Sequence, residues 1–122
     1  MVSGNKIPFI HEDMNMKKAV KIITDKKLGV LIAQNKSNKT TGIITDGNVR
    51  KLQQKNLNLN NIKIKTVMTR KPITIDVDTL AAKALRIMNE KKITSLCVHK
   101  NNKKNKTVGL VHIHHILDAN IE

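Results

Sequence analysis

The sequence predicts an α/β (α+β) fold made of two copies of one β-α-β-β-α unit. Three observations carry that prediction. The stretch Gly42-Ile43-Ile44-Thr45-Asp46-Gly47-Asn48-Val49-Arg50 has a weaker echo in Gly109-Leu110-Val111-His112-Ile113-His114-His115-Ile116-Leu117. Each is a glycine, a short run turning from apolar to polar, and a switch into a helix. Roughly ten residues upstream of each glycine lies a short apolar strand, Val30-Leu31-Ile32-Ala33 and then Ser95-Leu96-Cys97-Val98. An amphipathic helix precedes each of those strands. The whole order recurs about 65 residues later, which marks an internal duplication.

The elements follow in order. A first helix is expected from Asp13, capped by that carboxylate, with Met16, Ala19, Val20 and Ile23 on one apolar face. That methionine-bearing stripe reads as core. Residues 29–33 read as a buried strand, 34–40 as a polar loop and 41–45 as the paired strand. The second helix is expected over about residues 46–55. The connector 56–65 is rich in asparagine, yet Leu57, Leu59, Ile62 and Ile64 anchor it. A flexible linker would lack such anchors, so this segment is expected to lie against the domain.

Pro72-Ile73-Thr74-Ile75 opens the second copy as a short strand. Asp78 is expected to cap its helix, with Leu80, Ala81, Ala84, Leu85 and Met88 as one continuous stripe. Residues 95–99 and 107–112 are the next two strands. The loop between them, residues 100–106, is entirely Lys and Asn and is expected to be mobile. A last helix is expected from Ile113 to about Ala119. The duplication places the domain boundaries at 1–65 and 66–122. Neither half is large enough for a full core. The two are expected to pack face to face about a pseudo-two-fold axis and to self-associate through helices as a homodimer.

Composition excludes several classes. No run of about 18 apolar residues exists, so no membrane span is expected, and the first residues carry no signal-peptide stretch. The single cysteine, Cys97, permits no internal disulfide, fits a reducing cytoplasm, and reads as an inert buried thiol. The formal charge of +14 raises the question of nucleic acid. However, the positive residues are scattered lysines, with arginine only at 50, 70 and 86, and Phe9 alone among Phe, Trp and Tyr. Base readout favours arginine and single-strand binding favours stacking aromatics, so nucleic acid is the weakest of the readings.

The functional suspicion starts at the helix after Thr45. A strand-to-helix switch leaves unpaired N–H groups that stabilise an anion or phosphate. The Thr45 hydroxyl, Asp46 and the Asn48 amide lie at that mouth. The competing reading is that Thr45 or Asp46 only caps its own helix.

With these residues in view, the order of elements and the terminal glycine–threonine run resemble a CBS domain, and two copies resemble a CBS pair. More narrowly, Gly42 to Arg50, Val67-Met68-Thr69, Ile93-Thr94-Ser95-Leu96 and Gly109 to His114 resemble the C-terminal half of the arabinose 5-phosphate isomerases. The first methionine matches an internal position of that family, which implies a preceding sugar-isomerase domain in a parent chain. The resemblance also implies clefts that accept adenosine-type nucleotides, with an acidic residue three positions after the threonine on the ribose. Here those positions hold Asn48 and His115, and His112 stands in place of the second threonine. Neither Asn nor His gives the charge-assisted bond of a carboxylate.

His112, His114 and His115 raise a metal reading. No carboxylate or thiol lies close in sequence to complete a tetrahedral set, so no metal is assigned and ligand-facing or interface histidines are expected. Catalysis has no constellation either: no nucleophile elbow, no Cys–His arrangement, no Walker loop. Asp76 and Asp78 read as strand end and helix cap. The expectation is a regulatory, non-catalytic CBS pair of a cytoplasmic arabinose 5-phosphate isomerase that serves Kdo and lipopolysaccharide synthesis. It requires no cofactor and senses a nucleotide or nucleotide-sugar effector through Thr45, Asp46, Asn48, His112, His114 and His115. The alternatives are an independent adenine-nucleotide sensor and a basic nucleic-acid-binding protein.

Overall fold

The computed structural model describes residues 1–26, 29–114 and 116. The chain runs β1 (Val2–Ser3), β2 (Phe9–His11), α1 (Met16–Lys26), β3 (Val30–Gln34), β4 (Thr40–Thr45) and α2 (Asp46–Gln54). It continues through α3 (Ile64–Val67), β5 (Thr69–Arg70), β6 (Thr74–Asp76), α4 (Ala81–Lys91), β7 (Ser95–His99) and β8 (Gly109–His112). Single 3-10 turns occupy Gly4–Lys6 and Leu59–Asn61. Of the final helix, Ile113, His114 and Ile116 are helical, and the rest lies outside the described residues.

Two compact units result, one of Pro8–Pro72 and one of Met1–Ile7 with Ile73–Glu122. In the first, the sheet order is β2-β3-β4-β5, with β2 and β3 parallel and the other pairs antiparallel. A parallel pair needs a crossover, and α1 is that crossover. The second sheet, β1-β8-β7-β6, repeats the plan, with α4 crossing between the parallel β6 and β7. Registers agree as well. Ile10 faces Ala33 where Ile75 faces Val98, and Leu31 faces Ile44 where Leu96 faces Val111.

The units differ from the sequence repeats 1–65 and 66–122 in their leading segments. β1 heads the first repeat in sequence but pairs with β8 in the sheet of the second. β5 heads the second repeat but pairs with β4 in the sheet of the first. Each crossing is close. A Cβ on Gly42 would lie 2.6 Å from Met68 Sδ and 2.8 Å from the Thr69 carbonyl oxygen. One on Gly109 would lie 2.5 Å from Met1 Sδ. Only glycine leaves room at position 42, where a backbone oxygen is among the near atoms; at Gly109 the near atoms belong to the flexible Met1 side chain.

The core of Pro8–Pro72 gathers Met16, Ala19, Leu31, Ala33, Ile44 and Ile64, all fully buried. Ile64 comes from the connector, which docks as its apolar anchors predict. Met16 N–H donates to the Ile62 carbonyl at 2.7 Å, Ile64 N–H to Met14 at 2.8 Å and Lys65 N–H to Glu12 at 2.9 Å. Leu57, by contrast, is exposed. The other unit buries Ile75, Ala84, Met88, Leu96, Val98 and Ile116.

Three local expectations need correction. Asp13 does not cap α1: the Asn15 Oδ1 accepts the Lys18 N–H at 2.9 Å, while Asp13 pairs with Lys65 Nζ at 3.0 Å. That hydrogen bond from Lys65 holds the Asp13 carboxyl below the usual carboxylate range. Asp78 does not cap α4 either, because its N–H donates to Asp76 Oδ1 at 2.9 Å in a local turn. Leu80 occupies the cap position with extended backbone and no side-chain bond, and it is 77% exposed. The apolar stripe of that helix therefore begins at Ala84. Among the described residues no helix is long and apolar enough to cross a membrane.

Candidate functional site

The junction of β4 and α2 brings Thr45, Asp46 and Asn48 together. Thr45 is extended, with φ −115° and ψ 168°, and its side chain meets the third helical residue in a capping box. Asn48 N–H donates to Thr45 Oγ1 at 3.3 Å, and Thr45 N–H donates to Asn48 Oδ1 at 2.9 Å. The Thr45 hydroxyl also donates to Asn48 Oδ1, at 3.0 Å. Both oxygens are therefore spent on the cap, and the Asn48 NH2 is left as an outward donor. Asp46 is exposed in the first turn, where its carboxylate already complements the helix dipole. Its N–H donates to the Gly29 carbonyl at 3.2 Å.

The equivalent junction after β8 carries the histidines. The rings of His112 and His114 stack, with centroids 4.8 Å apart and an interplanar angle of 23°. His114 N–H donates to His112 Nδ1 at 3.2 Å. An Nδ1 that accepts assigns the proton of the neutral ring to Nε2. His112 is half-buried and His114 is exposed. His115 lies outside the described residues. Among the described residues, no three His, Cys, Asp or Glu side chains are grouped to hold a metal ion. Cys97 is 3% exposed, and burial pushes its thiol up to about 11 against a weaker opposing bond from Thr107. A thiol so placed stays protonated and is no nucleophile.

Each unit also contains a cavity that sequence patterns do not reveal. In the unit holding β8, an open cavity of about 320 Å³ is lined by apolar residues such as Ile75, Val98, Val111 and Ile116, with Asp76 and Thr79 as polar groups. The first repeat has Met16, fully buried, where this one has the smaller Ala81. In the unit Pro8–Pro72, a second cavity of about 420 Å³ lies between α2 and the connector. Asn48 is the one predicted site residue that lines it. The signals for both were indirect: small residues on one helix, and two lysines one turn apart on another.

The duplicated β-α-β-β-α unit has a counterpart among known proteins. A family model for the CBS domain matches residues 2–55 and again 64–122. The chain belongs to the CBS-domain family. Its two CBS domains make it a CBS pair. The arabinose 5-phosphate isomerase KdsD of Yersinia pestis is 36% identical over 121 residues, which cover 99% of this chain and 36% of that protein. This CBS pair thus spans about a third of the length of the curated relatives it matches. A solved CBS-domain containing protein of Agrobacterium tumefaciens superposes with a TM-score of 0.85 at 15% identity, over 96% of this chain and 86% of that one. The structure of CBSX2 in complex with AMP gives a TM-score of 0.85 at 19% identity, over 99% and 92%. Identities this low establish the shared fold.

Proposed function

We propose that this CBS pair is the regulatory, ligand-sensing module of a cytoplasmic D-arabinose 5-phosphate isomerase. The parent enzyme interconverts D-arabinose 5-phosphate and D-ribulose 5-phosphate on the way to Kdo and lipopolysaccharide. One observation carries the reading: identity to KdsD runs over 99% of this chain while covering only 36% of the enzyme. Turnover then belongs to the remainder of such an enzyme, and this module adds control. The module self-associates through helices as a homodimer.

The effector is a nucleotide or nucleotide sugar. Asn48 offers its NH2 to a hydroxyl or phosphate oxygen, Thr45 positions that amide through the cap, and Asp46 borders it. His112, His114 and His115 contact a ligand in the second CBS domain. In that domain, the cavity bounded by Val111 and Ile75 has room for a flat apolar group such as a nucleobase. A plain adenine nucleotide is the second reading, favoured by the AMP complex of CBSX2. The absence of a carboxylate at position 48 favours the nucleotide sugar.

Calorimetric titration with nucleotide sugars, AMP and ATP tests the proposal, together with thermal stabilisation by each. Saturable binding of a nucleotide sugar, tighter than either adenine nucleotide, is expected. Tighter binding of ATP or AMP would move the chain to the second reading, and no stabilisation by any of them would remove the effector role.

A further inference from the structure

The cavity of about 420 Å³ in the unit Pro8–Pro72 has a chemistry of its own. One wall is a face of α2 and its C-terminal cap, where Asn48, Lys51 and the cap residue Lys55 stand three and four residues apart. The other is the connector with α3, which together supply Leu57, Ile62, Thr66 and Val67. The polar groups on the helix wall are all donors. The Asn48 oxygen is committed to Thr45, which leaves the NH2. Lys51 and Lys55 add ammonium groups, and neither has an ion pair among the described residues. Two like charges one helical turn apart repel each other, and an anion between them relieves that repulsion.

The connector wall is mostly apolar, with Thr66 as its one polar lining residue. Leu57 is 51% exposed at the rim. Ile62 and Val67 are partly buried against the core beneath it.

We infer that this cavity binds a small organic anion. A phosphate or carboxylate head sits among Lys51, Lys55 and the Asn48 amide, and a compact apolar body rests on Leu57, Ile62 and Val67. The volume suits a ligand of one ring and one phosphate. Such a ligand ties the connector to α2. The site goes beyond the effector reading, because it shares only Asn48 with it and needs neither the histidines nor the cavity beside Val111.

Phenyl phosphate is the probe, with inorganic phosphate and phenol as its separate halves. Binding to the whole chain is followed by calorimetry and by amide chemical shifts. Phenyl phosphate should bind saturably and about tenfold more tightly than either half, with shifts confined to residues 48–67. The double variant Lys51→Gln/Lys55→Gln should bind it roughly tenfold more weakly while its thermal unfolding stays unchanged. Leu57→Ser should weaken phenyl phosphate but not inorganic phosphate. Nucleotide-sugar binding should be indifferent to all three substitutions, which separates the two sites. Equal affinity for phenyl phosphate and inorganic phosphate would overturn the inference. So would unchanged affinity in the double variant, or shifts spread over the lysine loop 100–106.

Discussion

Thr45 and Asn48 hold each other from both sides, each backbone N–H donating to the other's side-chain oxygen, at 2.9 Å and 3.3 Å. The pair fixes where β4 ends, where α2 begins, and which way the Asn48 NH2 faces. Thr45→Val removes both hydroxyl bonds and should destabilise the fold by about 1 kcal/mol in urea unfolding, whereas Thr45→Ser should be nearly silent. Asn48→Asp keeps an accepting oxygen for the cap but replaces the NH2 with a second acceptor. It should leave stability within about 0.5 kcal/mol and weaken an anionic ligand. A large stability loss from Asn48→Asp would show that the amide nitrogen is structural.

The two close-packed glycines should respond unequally to alanine. At Gly42 the new methyl meets the buried Met68 and the Thr69 carbonyl, and the backbone oxygen cannot swing aside. At Gly109 the three nearest atoms all belong to Met1, a flexible side chain on a residue that is 58% exposed. Gly42→Ala should cost about 1–3 kcal/mol and Gly109→Ala less than about 1. Equal losses in thermal unfolding would contradict the geometry.

The connector offers a paired test. Ile64 is fully buried in the core of Pro8–Pro72, so Ile64→Ala should cost about 2–5 kcal/mol. Leu57 sits in the same segment but is exposed, and Leu57→Ala should change stability by less than about 0.5 kcal/mol. Similar effects at both positions would mean the segment does not dock as described.

Cys97 sets an alkaline limit. Burial raises its thiol from an ordinary 9.0 to about 11 in the fold. A raised value favours the protonated native state, so the stabilisation is complete below pH 9.0 and is lost as pH climbs toward 11. Over that window the protein should lose about 2 kcal/mol more than Cys97→Ala does, measured by urea unfolding at each pH. Parallel pH curves for the two proteins would refute it. Alkylation of the native thiol at pH 8 should be slow for the same reason.

Local pattern made the regular elements legible. The strand Ser95–His99 announces itself by a run of buried residues, and α1 by apolar spacing. Its start is not legible because Asp13 and Asn15 are both capping types, and the choice between them depends on Lys65, far away in sequence. Leu80 matched the apolar spacing but fell one position outside the helix, where no core faces it. The two-residue strands β1 and β5 are too short to show any period, and their partners are non-local. At the site, the meeting of Thr45 with Asn48 follows from a three-residue spacing and so was readable. The stacking of His112 on His114 and both cavities depend on folded packing, which spacing does not encode.

The exchange of β1 and β5 has a consequence for any ancestor of this chain. A polypeptide holding a single repeat would carry a leading strand it could not use and a sheet one strand short. Two such molecules could each lend the other the missing edge, as reciprocal donor and acceptor. Joining the copies end to end converts that loan between molecules into a closed circuit within one chain. Severing the present chain between residues 65 and 66 should therefore yield fragments that fold only when mixed.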